Sequence, residues 1–432
     1  MIEVEAVTMP GATTRFCKTW WPIYADDPQW VPPLIFERKE FFDPKKNPYF
    51  NNAEVAYFIA RQGGRDVGTI AATVDQNQLE TEPGLGLFGF FEFIDDTDVA
   101  KALFDAACEW LREKGMRRMR GPFNLSPNHE FGLLVDGFDT PPCIANPHNL
   151  PYYATIYESL GLVGVKDWFA YWMDNDGPAP KTISRIAQRY MDRNPKFSIR
   201  PVDKKNWARE IELVYEIYQD AWEHNWGHVS LTKEEFWFAA KGLKQVVEPD
   251  LCFFALIDGK EVGVSVTLPD YNQVAKKMNG RLFPFGWWHF LRGRGKIDTL
   301  RIFILGIKQE YQRLPLGAPL YLRTWEAGMA RNVRGAEASL ILEDNVRMRG
   351  ALEKLGAYVY KTYRSYEYPL EEGVTIGEPP AEAEPAEEAA PAEAAPAEAP
   401  ESETTSDGAP ASSVSDDAGP MEATPTDSPS GA

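Results

Sequence analysis

The sequence has few cysteines, no long apolar run and no excess of basic charge, and each absence excludes a class of protein. Its four cysteines, at positions 17, 108, 143 and 252, lie far apart and form no CxxC pair. This spacing suits neither a zinc site nor a disulfide framework, so the sequence predicts no bound metal and a reducing compartment. No run approaches the roughly 18 apolar residues that a membrane-spanning helix needs. The opening residues, MIEVEAVTMPG, lack the basic region and apolar core of a signal peptide, so we expect a soluble cytoplasmic protein.

The formal net charge of −19 comes mainly from the last part of the chain. From Glu371 onward there is no Lys or Arg, and sixteen of the 64 acidic residues lie there, which leaves 48 acids against 45 bases before it. A near-neutral body without a clustered basic face gives no sign of nucleic-acid binding. The remaining segment, 371–432, is rich in Pro, Ala, Glu and Ser, and this composition predicts a disordered acidic tail.

The chain repeats itself at a fixed distance. EVAYFIARQGGRDVGTIAATVD from Glu54 matches DLCFFALIDGKEVGVSVTLPD from Asp250, and YESLGLVGVKDWFAYWM matches LEKLGAYVYKTYRSYEY. Both matches have the same offset of about 195 residues. Two segments that share one displacement indicate a duplicated domain. We therefore predict an N-terminal copy over 1–178, a C-terminal copy over 179–370 and the tail.

Each copy has the same predicted order of elements. A hairpin with a Gly turn is followed by an apolar strand, LFGFFEFI or TLRIFILGI, and then by an amphipathic helix. A further strand, a further helix and a last strand complete the copy. This order predicts an α/β (α+β) fold in which each copy has a mixed central sheet with flanking helices.

At this point the chain resembles the GNAT superfamily of acyl-CoA-dependent N-acyltransferases. The cofactor signature of that superfamily is Gln/Arg-x-x-Gly-x-Gly/Ala, and QRLPLG from Gln312 fits its frame with Pro315 in place of the first glycine. The stretches LFGFFEF, DPQWVPP, AWEHNWG and LEDN are similar to those of a poorly characterised bacterial double-GNAT family, some members of which are linked to sphingolipid N-acylation. The resemblance implies acyl-CoA or acetyl-CoA as co-substrate (or an acyl carrier protein as donor) and an amine, possibly that of a lipid, as acceptor.

The loop YQRLPLGAP has the physical features of a pyrophosphate site. Unpaired N–H groups at a helix N-terminus attract phosphate, and glycine permits close approach of the backbone. The cofactor-binding residues predicted in this loop and after it are Gln312, Arg313, Leu314, Leu316, Gly317, Ala318 and Asn345. The alternative is a strand–helix joint that binds no phosphate. The equivalent loop of the first copy, FEFIDDTDVAK, is acidic, so we expect that copy to have lost cofactor binding.

The resemblance also implies where the chemistry takes place. A backbone N–H near Ile307 would polarise the thioester carbonyl. Leu352 stands where the family often has the tyrosine that protonates the leaving thiolate, and Tyr311 is one substitute. Three further candidates would act as the base that accepts the proton of the amine: Glu343, Glu130 and His224. For each of the three a structural role is the alternative, as a helix-start carboxylate, a surface acid and part of an aromatic loop.

One further stretch, GRLFPFGWWHFLRGRGK, places aromatic residues beside cations. This composition suits a membrane interface or the mouth of a lipid site, so we predict peripheral contact with the inner membrane through 281–296. The alternative is an ordinary buried turn. Taken together, the sequence predicts an N-acyltransferase that acts on a lipid amine, with a non-catalytic acyl-CoA-binding or lipid-binding protein as the rival hypothesis.

Overall fold

The computed structural model describes residues 1–223 and 225–377, so His224 and the predicted tail from residue 378 lie outside the described residues. Strands form the centre of the described part. Those before residue 179 are β1 (Ile2–Val7), β2 (Ala53–Gln62), β3 (Arg65–Asp75), β4 (Leu85–Phe93), β5 (Arg118–Gly121), β6 (Leu133–Asp136) and β7 (Val163–Asp174). Those after it are β8 (Phe197–Pro201), β9 (Cys252–Ile257), β10 (Lys260–Pro269), β11 (Thr299–Ile307), β12 (Gly335–Leu342) and β13 (Tyr358–Pro369).

Helices cover both faces of the sheet. In the first half they are α1 (Thr13–Lys18), α2 (Trp20–Ile23), α3 (Ile35–Phe41), α4 (Gln76–Thr81), α5 (Thr97–Glu113) and α6 (Tyr152–Ser159). In the second half they are α7 (Lys181–Arg193), α8 (Trp207–Trp222), α9 (Lys233–Leu243), α10 (Asn272–Met278), α11 (Gly286–Gly293), α12 (Gly317–Ala330) and α13 (Val346–Lys354).

The structure reproduces the repeat read from the sequence. Both ends of β7 and both ends of β13 are separated by the predicted offset of 195 residues. The hairpins β2–β3 and β9–β10 turn at Gly63–Gly64 and Asp258–Gly259, and all four residues have positive φ, as a tight right-twisted hairpin requires. The predicted mixed α/β fold with two copies is therefore confirmed.

The strands form one mixed sheet with the order β1-β2-β3-β4-β5-β13-β7-β12-β11-β10-β9-β8, and β6 pairs with β13 beside this path. The last strand of each half is inserted into the other half, because β13 lies next to β5 and β7 lies next to β12. The two exchanged strands also pair with each other along most of their length. Each half of the sheet is thus completed by the other half, and the boundary at 178/179 stays a prediction.

The amphipathic helix α5 shows how the sequence pattern positions these elements. Ala100, Leu103, Phe104, Ala107 and Leu111 are buried against the sheet, as their helical spacing predicts. The helix begins after Asp96, whose carboxylate accepts hydrogen bonds from the N–H groups of residues 98 and 99. The acidic loop of the first copy is therefore a helix cap.

Candidate functional site

The second half of the sheet opens where β11 and β12 separate. The two strands pair in parallel only as far as Ile302 and Ala338, and β11 bulges against β10 directly after this point. Beyond β11, the N–H of Lys308 donates to the carbonyl of Val262 on the β10 side at 2.9 Å. N–H groups alternate between the two edges of a strand, so those of Leu305 and Ile307 point into the opening. The predicted N–H near Ile307 lies on this open edge.

The predicted cofactor loop lies at the end of this opening. Among the described residues, the N–H groups of Leu316 and Gly317 have no hydrogen-bond acceptor. The N–H of Leu314 donates to the carbonyl of Tyr311 at 3.0 Å, and that of Ala318 donates to the carbonyl of Pro315 at 3.3 Å. Of the four predicted cofactor-binding residues Leu314, Leu316, Gly317 and Ala318, two therefore use their N–H groups in the tight turns before α12. Leu316 is fully buried, so the half-buried Gly317 carries the more accessible of the two free N–H groups.

Two side chains tie this loop to its surroundings. The Nε2 of Gln312 donates to the carbonyl of Ile307 at 3.1 Å, and Arg347 of α13 donates to the carbonyl of Gln312. Arg313 and Arg347 are both exposed, so the loop itself and the helix that contacts it each contribute one cation. The sequence motif included Arg313, whereas Arg347 comes from a different helix and was missed. The loop thus combines free donors, a helix N-terminus and two cations, which together suit a pyrophosphate.

The first half has no comparable opening. The strands β4 and β5 pair in parallel at three positions and then diverge, but the chain after β5 returns to β4. The N–H of Phe123 donates to the carbonyl of Phe88 at 2.7 Å, and the N–H of Phe90 donates to the side chain of Asn124 at 2.8 Å. A Cβ added at Gly89 would lie 1.8 Å from the carbonyl oxygen of Phe123. The gap is therefore filled by the protein's own chain.

The helix α13 contains two positions singled out from the sequence. Asn345 caps it, since its Oδ1 accepts from the N–H of Met348 at 3.0 Å. Leu352 is fully buried in the core between α12 and the sheet. Tyr321 of α12 lies in the same core, and its hydroxyl contacts the sulfur of Met348 at 3.0 Å. Burial raises the pKa of Tyr321 to about 12, so its hydroxyl stays protonated at neutral pH.

A buried polar network lies on the other face of the sheet, next to the point where β11 and β12 part. Ile302 and Ala338 face α12, so Arg301, Glu337 and Ser339 face the opposite side. The carboxylate of Glu337 is fully buried and accepts hydrogen bonds from several groups. These donors are Ser339 Oγ at 2.6 Å, Asn146 Nδ2 at 2.7 Å and the hydroxyl of Tyr360.

This network joins both halves of the protein. Asn146 belongs to the first half, whereas Glu337, Ser339 and Arg301 belong to the second. The Nε of Arg301 lies 3.7 Å from Glu337, and neither this Nε nor the Oδ1 of Asn146 has a hydrogen-bond partner. Buried polar atoms without partners are uncommon and often mark a functional site. Sequence reasoning missed the network because its members are scattered along the chain.

The bases predicted from the sequence have other partners. Glu130 is held by the guanidinium of Arg38 at 2.6 Å, and Glu343 accepts from the N–H of Asp167 at 3.2 Å. Tyr311 packs beside the apolar cluster that contains Leu316. The structure therefore does not bring Glu130, Glu343 and Tyr311 together at the opening, and their catalytic roles stay predictions. His224 lies outside the described residues.

Within the described residues, no group of three or more His, Cys, Asp or Glu is arranged to hold a metal ion. No described helix has both the length and the apolar character needed to cross a membrane.

Comparison with known proteins identifies close relatives of the chain. The bacterial ceramide synthase of Caulobacter vibrioides is 38% identical over 381 residues, which cover 85% of this chain and 98% of that protein. Protein YghO of Escherichia coli is 38% identical over 354 residues, which cover 80% of this chain and 90% of that protein. No family model matches the chain.

Solved structures show the same architecture at low sequence identity. A tandem GNAT protein from the clavulanic acid biosynthesis pathway matches with a TM-score of 0.52 and 13% identity, covering 85% of this chain and 99% of that one. A GCN5-related N-acetyltransferase from Sphaerobacter thermophilus matches with a TM-score of 0.50 and 11% identity, covering 87% and 98%. The prediction of a tandem GNAT acyltransferase is confirmed, and the chain belongs to the family that contains the Caulobacter ceramide synthase and YghO.

Proposed function

We propose that the protein transfers an acyl group from acyl-CoA to the amine of a sphingoid-type lipid base and so forms a ceramide-type amide. The observation that carries this proposal is the contrast between the halves. Among the residues that the structure describes, only those of the second half combine an open pair of strands with a loop that has free N–H groups and cations at a helix N-terminus. The ceramide synthase name of the Caulobacter relative, over nearly its whole length, supports the lipid acceptor.

In this proposal the acyl-CoA binds along β11. The half-buried N–H of Gly317 at the start of α12 binds the pyrophosphate, and the exposed Arg313 and Arg347 add positive charge to the same loop. The thioester end then lies in the opening between β11 and β12, where the free N–H groups of the β11 edge polarise its carbonyl. The first half, whose gap is filled, shapes the acceptor side of the cleft.

The network around Glu337 supplies the base. Ser339 is the first β12 residue after the last pair with β11, and its hydroxyl already donates to Glu337 at 2.6 Å. As the amine nitrogen attacks the thioester carbon, the amine proton passes to Ser339 Oγ while the hydroxyl proton of Ser339 passes to Glu337. A C–N bond forms and the C–S bond breaks, so the products are the amide and a thiolate.

Tyr321 completes the proton balance in place of the missing tyrosine at position 352. Its protonated hydroxyl lies in the core shared with Ile302, the last β11 residue before the opening, and gives its proton to the leaving thiolate. When the amide and the thiol leave, Glu337 releases its proton to solvent and Tyr321 takes one up from solvent, which restores the starting state. We expect Tyr321→Phe to lower kcat about tenfold to a hundredfold, with little effect on the KM for acyl-CoA. An unchanged kcat would remove Tyr321 from the mechanism.

A lipid acceptor also implies where the enzyme works. Long-chain bases reside in membranes, and we propose that the protein is cytoplasmic and reaches the inner membrane through 281–296. Acyl-CoA is the soluble partner in this arrangement, and the lipid is drawn from the bilayer.

Lipid analysis of a deletion strain tests the function. Loss of the gene should remove an N-acylated long-chain base and cause the free base to accumulate, and the wild-type gene should reverse both changes. A gene with Glu337→Gln should not restore the amide, whereas the matched surface change Glu326→Gln on α12 should restore it. Unchanged lipids in the deletion strain would overturn the lipid assignment. The rival hypothesis, a non-catalytic acyl-CoA-binding or lipid-binding protein, rests on Pro315 and the buried Leu352 at two positions of the family pattern, and CoA binding without turnover on any amine would support it.

A further inference from the structure

The second repeat contains a segment that the first repeat lacks. Between β10 and β11 the chain forms α10 and α11, whereas the equivalent connection between β3 and β4 holds only the short helix α4. The additional segment thus lies outside what the repeated fold needs, and its surface is free to serve another purpose.

The helix α11 and the turn before it expose large apolar side chains. Phe283 and Phe285 are 73% and 72% exposed, and Leu291, Trp288 and Trp287 are 53%, 46% and 42% exposed. Contiguous apolar surface of this kind on a water-soluble fold marks an interaction site. The sequence alternative of an ordinary buried turn is therefore wrong for these side chains.

Two glycines lie on the inner side of α11, beside Phe290, whose ring stacks on Tyr271 at 5.6 Å. Gly286 is buried, and a Cβ added there would lie 2.0 Å from the carbonyl oxygen of Arg281. A Cβ at Gly293 would lie 2.9 Å from the side chain of Val274 in α10. The helix therefore packs through glycine while most of its aromatic residues face outward, which is the reverse of a helix that stabilises a core.

The charges within this segment are of one sign. No acidic residue occurs between positions 271 and 297, while Arg281, Arg292, Arg294 and Lys296 are exposed and form no ion pair among the described residues. The guanidinium of Arg292 lies 5.1 Å from the ring centre of Trp288. Aromatic side chains flanked by unpaired cations fit the interface of an anionic bilayer, where the rings enter the headgroup region and the cations meet lipid phosphates.

The surface is also fixed close to the acceptor side of the cleft. The indole N–H of Trp21 donates to Asn279 at 2.7 Å, which anchors the segment to the first half. Asp270, just before α10, accepts from the N–H of Ile144 at 2.9 Å. The loop that contains Ile144 also carries Asn146, which donates to Glu337.

We propose that residues 281–296 dock the protein on anionic bilayers and that this contact presents a membrane-embedded acceptor to the cleft beside residues 142–146. The docking part stands on the exposed surface alone, and the delivery of the acceptor rests on the proposed function. The alternatives to a bilayer are that the surface of residues 281–296 binds the apolar surface of another protein or a second copy of this chain.

Co-sedimentation of the full-length protein with vesicles tests the docking. We expect binding to vesicles of phosphatidylcholine with phosphatidylglycerol, at least tenfold weaker binding to phosphatidylcholine alone, and weaker binding at high salt. The double variant Phe285→Ser/Trp288→Ser should lose at least tenfold in affinity, whereas Ile186→Ser, which alters a 39% exposed apolar residue on α7, should bind as wild type.

The outcomes separate this inference from the acyl-transfer reaction. The double variant should retain activity on a short-chain, water-soluble sphingoid amine and lose activity on the same base embedded in vesicles. Absence of vesicle binding, equal binding to neutral vesicles, or a dimer in solution that the double variant makes monomeric would each overturn the docking proposal. If the wild-type protein has no activity on the soluble amine, the proposed function is contradicted, whereas the result of the vesicle-binding experiment still stands.

Discussion

Replacement of Gly317 by glutamate should separate cofactor binding from stability. Gly317 is the first residue of α12, and an added Cβ would meet only the ring of Tyr321, at an ordinary contact distance of 3.4 Å. The fold therefore has room for a side chain. A carboxylate near a helix N-terminus stabilises the helix by about 0.3–1 kcal/mol, and replacement of a helical glycine by another residue stabilises it by up to about 1 kcal/mol more. We expect the free energy of unfolding to rise by about 1 kcal/mol.

The same carboxylate should oppose a bound pyrophosphate. Two like charges about 4 Å apart repel by about 4 kcal/mol at an effective dielectric constant of about 20. Gly317 is only half-buried, so screening by water and salt leaves about 2 kcal/mol, or roughly a thirtyfold rise in the Kd for CoA.

Isothermal titration with CoA and thermal unfolding measure the two effects on the same samples. Gly242→Glu is the matched control, because Gly242 is an exposed residue of α9 with no atom within 4 Å of an added Cβ. The control should bind CoA as wild type. A folded Gly317→Glu protein that binds CoA with wild-type affinity would refute the assignment of this loop.

Three further changes test other parts of the structure. Arg347→Ala should raise the KM for acyl-CoA about fivefold, which corresponds to a loss of about 1 kcal/mol of binding at an exposed site. The control Arg323→Ala removes another exposed arginine and should leave the KM unchanged. Equal KM values for the two variants would exclude Arg347 from the cofactor site. Ser339→Ala should lower kcat about tenfold and shift the pH profile, and a lowered kcat with an unshifted profile would indicate a structural role only. Burial raises the pKa of Glu92 to about 7, above an ordinary value of 4.5, so its contribution to stability is present below pH 4.5 and is lost as the pH rises through 7. Glu92→Gln should therefore reduce the loss of unfolding free energy between pH 4.5 and 7.5 by roughly 3 kcal/mol in denaturant titrations, and an unchanged pH dependence would contradict the buried charge.

Local patterns in the sequence predicted most of the elements. The offset between β7 and β13, the glycine turns of both hairpins and the apolar stripe of α5 are all visible in short stretches of the chain. Comparison of the two copies also predicted which half carries the cofactor loop, and that assignment stays a prediction. In each case the signal lies within about twenty residues, where backbone conformation and amphipathic spacing are locally determined.

Features that depend on distant segments could not be predicted in this way. The exchange of β7 and β13 depends on which strand edges meet, and the sequence of a single strand does not specify its neighbours. The filled gap at Gly89 depends on a return of the chain some 34 residues later, where Asn124 reaches Phe90. The network around Glu337 was invisible for the same reason, and a buried acid in a central strand was the only signal that a sequence could give.

The most direct test of the central claim measures amide formation by the purified protein. The protein is incubated with a long-chain acyl-CoA and a sphingoid base, and the released CoA thiol and the N-acyl product are quantified in the same reaction. One amide should form for each thiol released, and Glu337→Gln should lower both by about a hundredfold or more. Thiol release without amide, or no turnover with any amine although CoA binds, would contradict the assignment as an N-acyltransferase.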